Sequence, residues 1–125
     1  VRFAGYAAVF GRVDRAGDVF APGAFAGAGP VPLLWAHRGR AVGAIAAIGE
    51  DARGLRIAGR VEDAAVARLL RCGALRGLSV GYRPLVVRTG ARRVLERVAL
   101  AEVSLVAVAM QPLARVDEVW SEEEP

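Results

Sequence analysis

Three side chains carry the chemistry this chain could perform. Ser79 lies in GLSVG (77–81), which reads G-x-S-x-G, the pattern of a nucleophile elbow. A serine hydroxyl is a poor nucleophile until a base takes its proton. The only imidazole in the chain is His37, at the end of the apolar segment PLLWAH. A third member would be an acid able to orient that ring, and Glu102 stands out in LAEVSLVAV. A period of two puts Leu100, Glu102 and Ser104 on one strand face and Ala101, Val103 and Leu105 on the other. A carboxylate in such apolar sequence is costly to bury unless it is hydrogen-bonded or paired. Asp14, Asp18 and Asp51 sit in turn-like stretches and are weaker alternatives.

Each of the three also has a plain structural reading. His37, near Trp35, could be a packed or surface residue, and Ser79 a small residue where two backbones approach closely. Glu102 could face water from the exposed side of its strand.

The elbow itself fails. It needs a strand before the serine, a helix after it, and a histidine downstream. Here a helix pattern precedes Ser79, a strand pattern follows it, and His37 lies upstream. Nucleophilic catalysis survives, because a triad is defined by geometry and not by chain order. The two glycines flanking Ser79 are then expected to clear backbone space for a substrate chain. One His, one Cys and scattered carboxylates match no zinc spacing, and no phosphate-binding or dinucleotide motif occurs. No metal and no cofactor are expected. Cys72, late in an amphipathic helix, reads as a core residue.

The elements that must position these residues are mostly strands. FAGYAAVF (3–10), LLWAH (33–37), AVGAIAAI (41–48), LRIAGRV (55–61) and LSVGYRPLVV (78–87) are extended patterns, and 93–109 holds two strands or one long bent one. VFAPGAFAGAGPVP (19–32) is rich in Gly and Pro and reads as loop. EDAAVARLLRCG (62–73) switches to helical period, with Ala65, Leu69 and Cys72 on one side, acids at its start and Gly73 to close it. QPLARVDEVW reads as a loop and a short terminal helix. Six to eight strands with one or two helices, and no βαβ alternation, predict a mainly β fold: a small closed or nearly closed barrel decorated by helices.

Composition bounds the rest. The 125 residues suit one domain, expected over 1–120, with SEEEP (121–125) as a solvated acidic tail. No apolar run is long enough to span a membrane, the N-terminus lacks a signal-peptide pattern, and a lone cysteine fits a reducing compartment. A soluble cytoplasmic domain is the expectation. Lys+Arg exceeds Asp+Glu by 17 to 13, but every cation is arginine and they are scattered from Arg2 to Arg115. Nucleic-acid binding needs a concentrated basic footprint, so none is expected.

In order along nearly the whole chain, five stretches resemble the prohead proteases of HK97-type tailed phages, serine peptidases also found in prophages and gene transfer agents. GYAAVFGRVDRAGDVFAPGAF (5–25) resembles the opening block, and VPLLWAHRGRAVGAI (31–45) the block of the catalytic histidine. DARGLRIAGRV (51–61) matches the next strand pair. ALRGLSVGYRP (74–84) looks like the nucleophile block, and LAEVSLVAVAMQPLARV (100–116) the block of the acid. One departure is VAMQPLA, where the family usually has a proline directly after the strand.

The resemblance implies His37, Ser79 and Glu102 as the catalytic residues, with Arg115 as an oxyanion donor by analogy with herpesvirus assemblins. It implies an assemblin-like fold, a barrel of about seven strands surrounded by helices. It further implies the scaffold or the delta region of the major capsid protein as substrates, along with the protease's own termini, all inside the assembling procapsid of a host bacterium. Activation by homodimerisation is a property of assemblins that the resemblance brings into view. Two other readings stay open: a catalytically inactive, protease-like component of a capsid assembly, and a small β-barrel binding module with an arginine-rich surface.

Overall fold

In the computed structural model, which describes residues 1–121, alternation decides most strands. In strand β5 (Gly54–Val61), Leu55, Ile57 and Val61 are buried while Arg60 points outward. The other elements, in chain order around it, are β1 (Arg2–Val9), β2 (Asp18–Phe20), β3 (Leu33–Trp35), β4 (Arg38–Glu50), α1 (Ala64–Arg71), β6 (Gly77–Arg88), β7 (Arg93–Val106) and β8 (Val116–Trp120). Helix α1 starts where Asp63 caps it, its carboxylate accepting from the Val66 N–H at 3.0 Å. Such a cap contributes about 1 kcal/mol. Val66, Ala67 and Leu70 face the core, and the helix ends before Gly73, whose φ of 82° is left-handed.

Strand β7 is the spine of the sheet. One of its edges pairs in parallel with β2 at 93–95 and with β3 at 103–105, while β6 runs antiparallel along the other edge. From β3 the sheet continues through β4, β5 and β1 to β8, all antiparallel. Phe3, Leu33, Leu55, Ile57, Leu78, Leu95, Val103 and Leu105 fill the core with fully buried side chains. Leu78, Val103, Leu105 and Leu33 therefore mark the inner face of β6, β7 and β3. Their alternates, Ser79, Glu102, Ser104 and Leu34, share the opposite face.

The fold is mostly β, as expected, and the rest of the expected architecture is only coarsely matched. The ladder is an open path from β2 to β8 with β6 branching from β7, and the described residues contain one α-helix. The start of β6 nonetheless lies beside the segment leading into β8: Gly77 bridges Arg115, the Leu78 N–H donates to the Ala114 carbonyl at 3.0 Å, and the Val116 N–H to the Arg76 carbonyl at 2.9 Å.

Two local expectations are corrected and one alternative is decided. VDEVW is strand β8, not a terminal helix, because the outer edge of β1 from Arg2 to Gly5 needs backbone partners and this segment supplies them. Residues 93–106 form one long strand, held continuous by β6 along its whole length. Cys72 is exposed just past the end of α1, where its Sγ–H reaches the Leu69 carbonyl; the buried face is Val66, Ala67 and Leu70. The predicted acidic tail lies, beyond Ser121, outside the described residues. No helix among the described residues is long and apolar enough to cross a membrane.

Candidate active site

His37 sits in an unusual turn. Trp35 pairs with Arg38, so Ala36 and His37 form a two-residue loop between β3 and β4, and both have positive φ, 53° and 62°. Two left-handed residues match the twist of a hairpin, but Asn and Gly normally fill them, since the left-handed region costs other residues roughly 1–2 kcal/mol each. Such backbone persists only where its surroundings over-determine it. Here β7 does so: the Ala36 N–H donates to the Leu105 carbonyl at 3.0 Å, and the His37 N–H to Ser104 Oγ at 2.9 Å.

The ring turns back over β7. His37 Nδ1 contacts Glu102 Oε1, and Glu102 Oε2 accepts from Ser104 Oγ at 2.7 Å. Glu102 is thus not the water-facing residue its plain reading allowed; its side chain is 12 % exposed, against 42 % for His37. Its place is set by register, since Glu102 lies opposite Gly81 and Ser104 opposite Ser79. A Cβ at Gly81 would overlap Glu102 Oε1 and come within 2.9 Å of both Cγ and Cδ. The second glycine of GLSVG therefore accommodates the acid rather than a substrate chain. The first, Gly77, admits Val106 and the Ala109 backbone, each 3.0 Å from where its Cβ would stand.

Ser79 is buried and borders a narrow cleft of about 20 Å³, lined also by Asp14, Tyr82, Met110 and Gln111. Cross-strand partners project to the same face, so Ser79 and the His37–Glu102 pair share one side of the sheet, with Ser104 between them. The Ser79 Oγ makes no hydrogen bond among the described residues, and the bond from serine to imidazole is not closed. Such bonds are often long before substrate arrives.

Of the weaker acids, none contacts His37. Asp14 Oδ1 accepts the Ala16 and Asp18 N–H groups at 2.9 Å, Asp18 lies 3.6 Å from the Arg93 guanidinium, and Asp51 accepts from the Tyr6 hydroxyl. Burial, and then the charges of Asp18 and Asp14, raise the Tyr82 phenol above its ordinary range. Arg115 stands opposite Gly77, two residues before Ser79 on the same strand face; it is exposed and makes no ion pair with a described residue. Among the described residues no three His, Cys, Asp or Glu side chains gather as a metal site.

Two residues of the site went unread in the sequence. Ser104 is visible there only as the neighbour of Glu102 on the same strand face. Gln111 is buried and pins the loop bearing Met110: its Nε2 donates to the carbonyls of Val9 at 2.7 Å and Arg12 at 3.1 Å, and its Oε1 accepts the Val9 N–H. Its signal was a lone amide in the apolar run VAVAMQPLA.

Comparison with known proteins bears on the family and the fold. The family model described as Caudovirus prohead serine protease matches residues 1–124. No curated protein matches the chain. Among solved structures, the fold is similar to that of KSHV protease in complex with a hexapeptide phosphonate inhibitor, with a TM-score of 0.64 at 14 % identity, over 92 % of this chain and 63 % of that one. Varicella-zoster virus protease also matches, with a TM-score of 0.45 at 21 % identity, over 79 % of this chain and 56 % of that one. The chain thus spans less than two thirds of the length of either viral protease.

Proposed function

We propose that this chain, which belongs to the Caudovirus prohead serine protease family, is a serine endopeptidase of capsid maturation using Ser79, His37 and Glu102. The observation that carries the reading is the His37–Glu102 contact, held on the same sheet face as Ser79. In this mechanism Ser79 Oγ attacks a peptide carbonyl while His37 Nε2 takes its proton. The proton passes to the departing amine, leaving an ester on Ser79. Water, deprotonated by the same ring, then hydrolyses that ester. Glu102 accepts the Nδ1–H throughout, which fixes the tautomer and balances the charge that arises on the ring. The oxyanion needs donors near Ser79, and Arg115, whose backbone bridges Gly77, is the side chain we propose for it by analogy with assemblins.

The finer parts of the proposal rest on what the family and the likeness to assemblins suggest. The substrates are the scaffold or the delta region of the major capsid protein, and the enzyme's own termini, cleaved inside the procapsid of a bacterial host. The host element is a tailed phage of the HK97 type, a prophage or a gene transfer agent. Residues 1–120 act as one protease domain with an acidic tail, and homodimerisation is the activating step. Closure of the sheet into a barrel is supported by the hydrogen bonds between 76–78 and 114–116.

The open serine–imidazole bond is what a catalytically inactive capsid component would also have. Co-expression with the capsid protein separates the two. Wild type is expected to shorten the capsid protein, and S79A to leave it intact. An intact capsid protein with wild type, or cleavage by S79A, would overturn the proposal.

A further inference from the structure

Ser104 is the most deeply buried polar side chain near the site, and it belongs to no assigned role. Its hydroxyl has two commitments that differ in direction. The His37 backbone N–H can only donate, so Ser104 Oγ accepts there, at 2.9 Å. The one hydroxyl proton is then left for Glu102 Oε2, at 2.7 Å. Glu102 Oε2 is therefore the acceptor of this proton, and an ionised carboxylate presents lone pairs at its other oxygen as well. The Oε1 lone pair faces Nδ1 of the same histidine. With Nδ1 as the donor, the contacts close a ring: His37 N–H to Ser104, Ser104 O–H to Glu102, and His37 Nδ1–H to Glu102.

We infer that Ser104 is a positioning residue, which locks both the left-handed backbone of His37 and the Nδ1–H tautomer that leaves Nε2 free to act as the base. The inference rests on the proposed catalytic use of His37 and Glu102. Ser104 is not itself a nucleophile: it is fully buried, and both its donor and its acceptor capacity are committed. Its position in the chain also links the two halves of the site, since it is the residue facing Ser79 and the residue two beyond Glu102. One hydroxyl thereby fixes the turn that carries the base and the acid that orients it.

The experiment uses the single histidine of the chain, which makes its ring signals unambiguous in nuclear magnetic resonance. Wild type and S104T are expected to show a slowly exchanging, low-field Nδ1–H proton, and S104A to lose it while staying folded. On capsid-protein substrate, S104A is expected to lose about 100-fold in kcat at unchanged KM, the scale of a small misplacement of a catalytic group. S104T is expected to recover most of that loss. Should S104A not fold, S104C keeps the volume with a thiol that hydrogen-bonds weakly, and the same loss of the Nδ1–H signal is expected. A folded S104A or S104C that keeps the signal and the turnover overturns the role. The resonance needs no turnover, so an inactive wild type would sink the peptidase reading while the Nδ1–H signal still decides the role of Ser104.

Discussion

Ser79 and Ser104 are cross-strand partners in the regular part of the β6–β7 ladder, and they differ in what their hydroxyls already hold. Ser104 is bound by the His37 backbone and by Glu102, whereas Ser79 borders the cleft with its Oγ uncommitted among the described residues. The pairing places the proposed nucleophile beside a hydroxyl that is fully committed, and the consequences can be measured.

Replacing Glu102 by Gln keeps the shape and reverses the hydrogen-bond sense. An amide NH2 turned to Nδ1 would require that nitrogen to accept, which puts the ring proton on Nε2 and removes the base. A loss in kcat of about 10⁴-fold is expected, the scale known for a wrong tautomer in a serine triad. Steady-state kinetics of E102Q, with circular dichroism to show an unchanged fold, checks this; near-normal turnover would contradict it.

Gly81→Ala tests the same carboxylate from the other strand. The added methyl overlaps Glu102 Oε1, so the acid must leave His37 or the strands must part. Overpacking of this kind costs about 1–3 kcal/mol. Urea unfolding of G81A should show that loss, and the cleavage rate should fall with it. A variant of full stability and activity would mean that Glu102 has room to spare.

These two changes show how far the sequence could be read. His37, Ser79 and Glu102 were each legible, because a lone imidazole, a serine between glycines and an acid in apolar sequence are conspicuous types. The strands around them were legible from period two. What could not be read was the pairing register that sets Gly81 against Glu102 and Ser79 against Ser104, since it depends on partners distant in sequence. The purpose of the second glycine depends on that register. VDEVW reads as helix on its own because its strand character comes from the open edge of β1, not from its own pattern.

The Tyr6–Asp51 hydrogen bond gives stability a pH window. It lowers the Asp51 carboxyl below its ordinary 3.8 and raises the Tyr6 phenol above 10.0. A lowered acid contributes stability that is present above pH 3.8 and is lost as pH falls through its folded value. A raised phenol contributes stability that is present below pH 10.0 and is lost as pH rises through its folded value. The Tm difference between wild type and Y6F should therefore be flat between those limits and narrow beyond each. A difference independent of pH would argue against the bond.

Gln111→Ala should be costly out of proportion to its size. It strips partners from the Val9 N–H and from the carbonyls of Val9 and Arg12. Unsatisfied buried backbone groups cost about 1–3 kcal/mol. Denaturant unfolding should show that loss, and KM for the capsid substrate should rise as the loop bearing Met110 loosens beside Ser79. Unchanged stability would mean that water replaces the amide.

Whether Ser79 is the nucleophile and His37 its base is decided by labelling with a fluorophosphonate followed by peptide mass spectrometry. One adduct is expected, on Ser79, with labelling abolished in folded H37A. An adduct on Ser104, or equal labelling of Ser79 with and without His37, would contradict it.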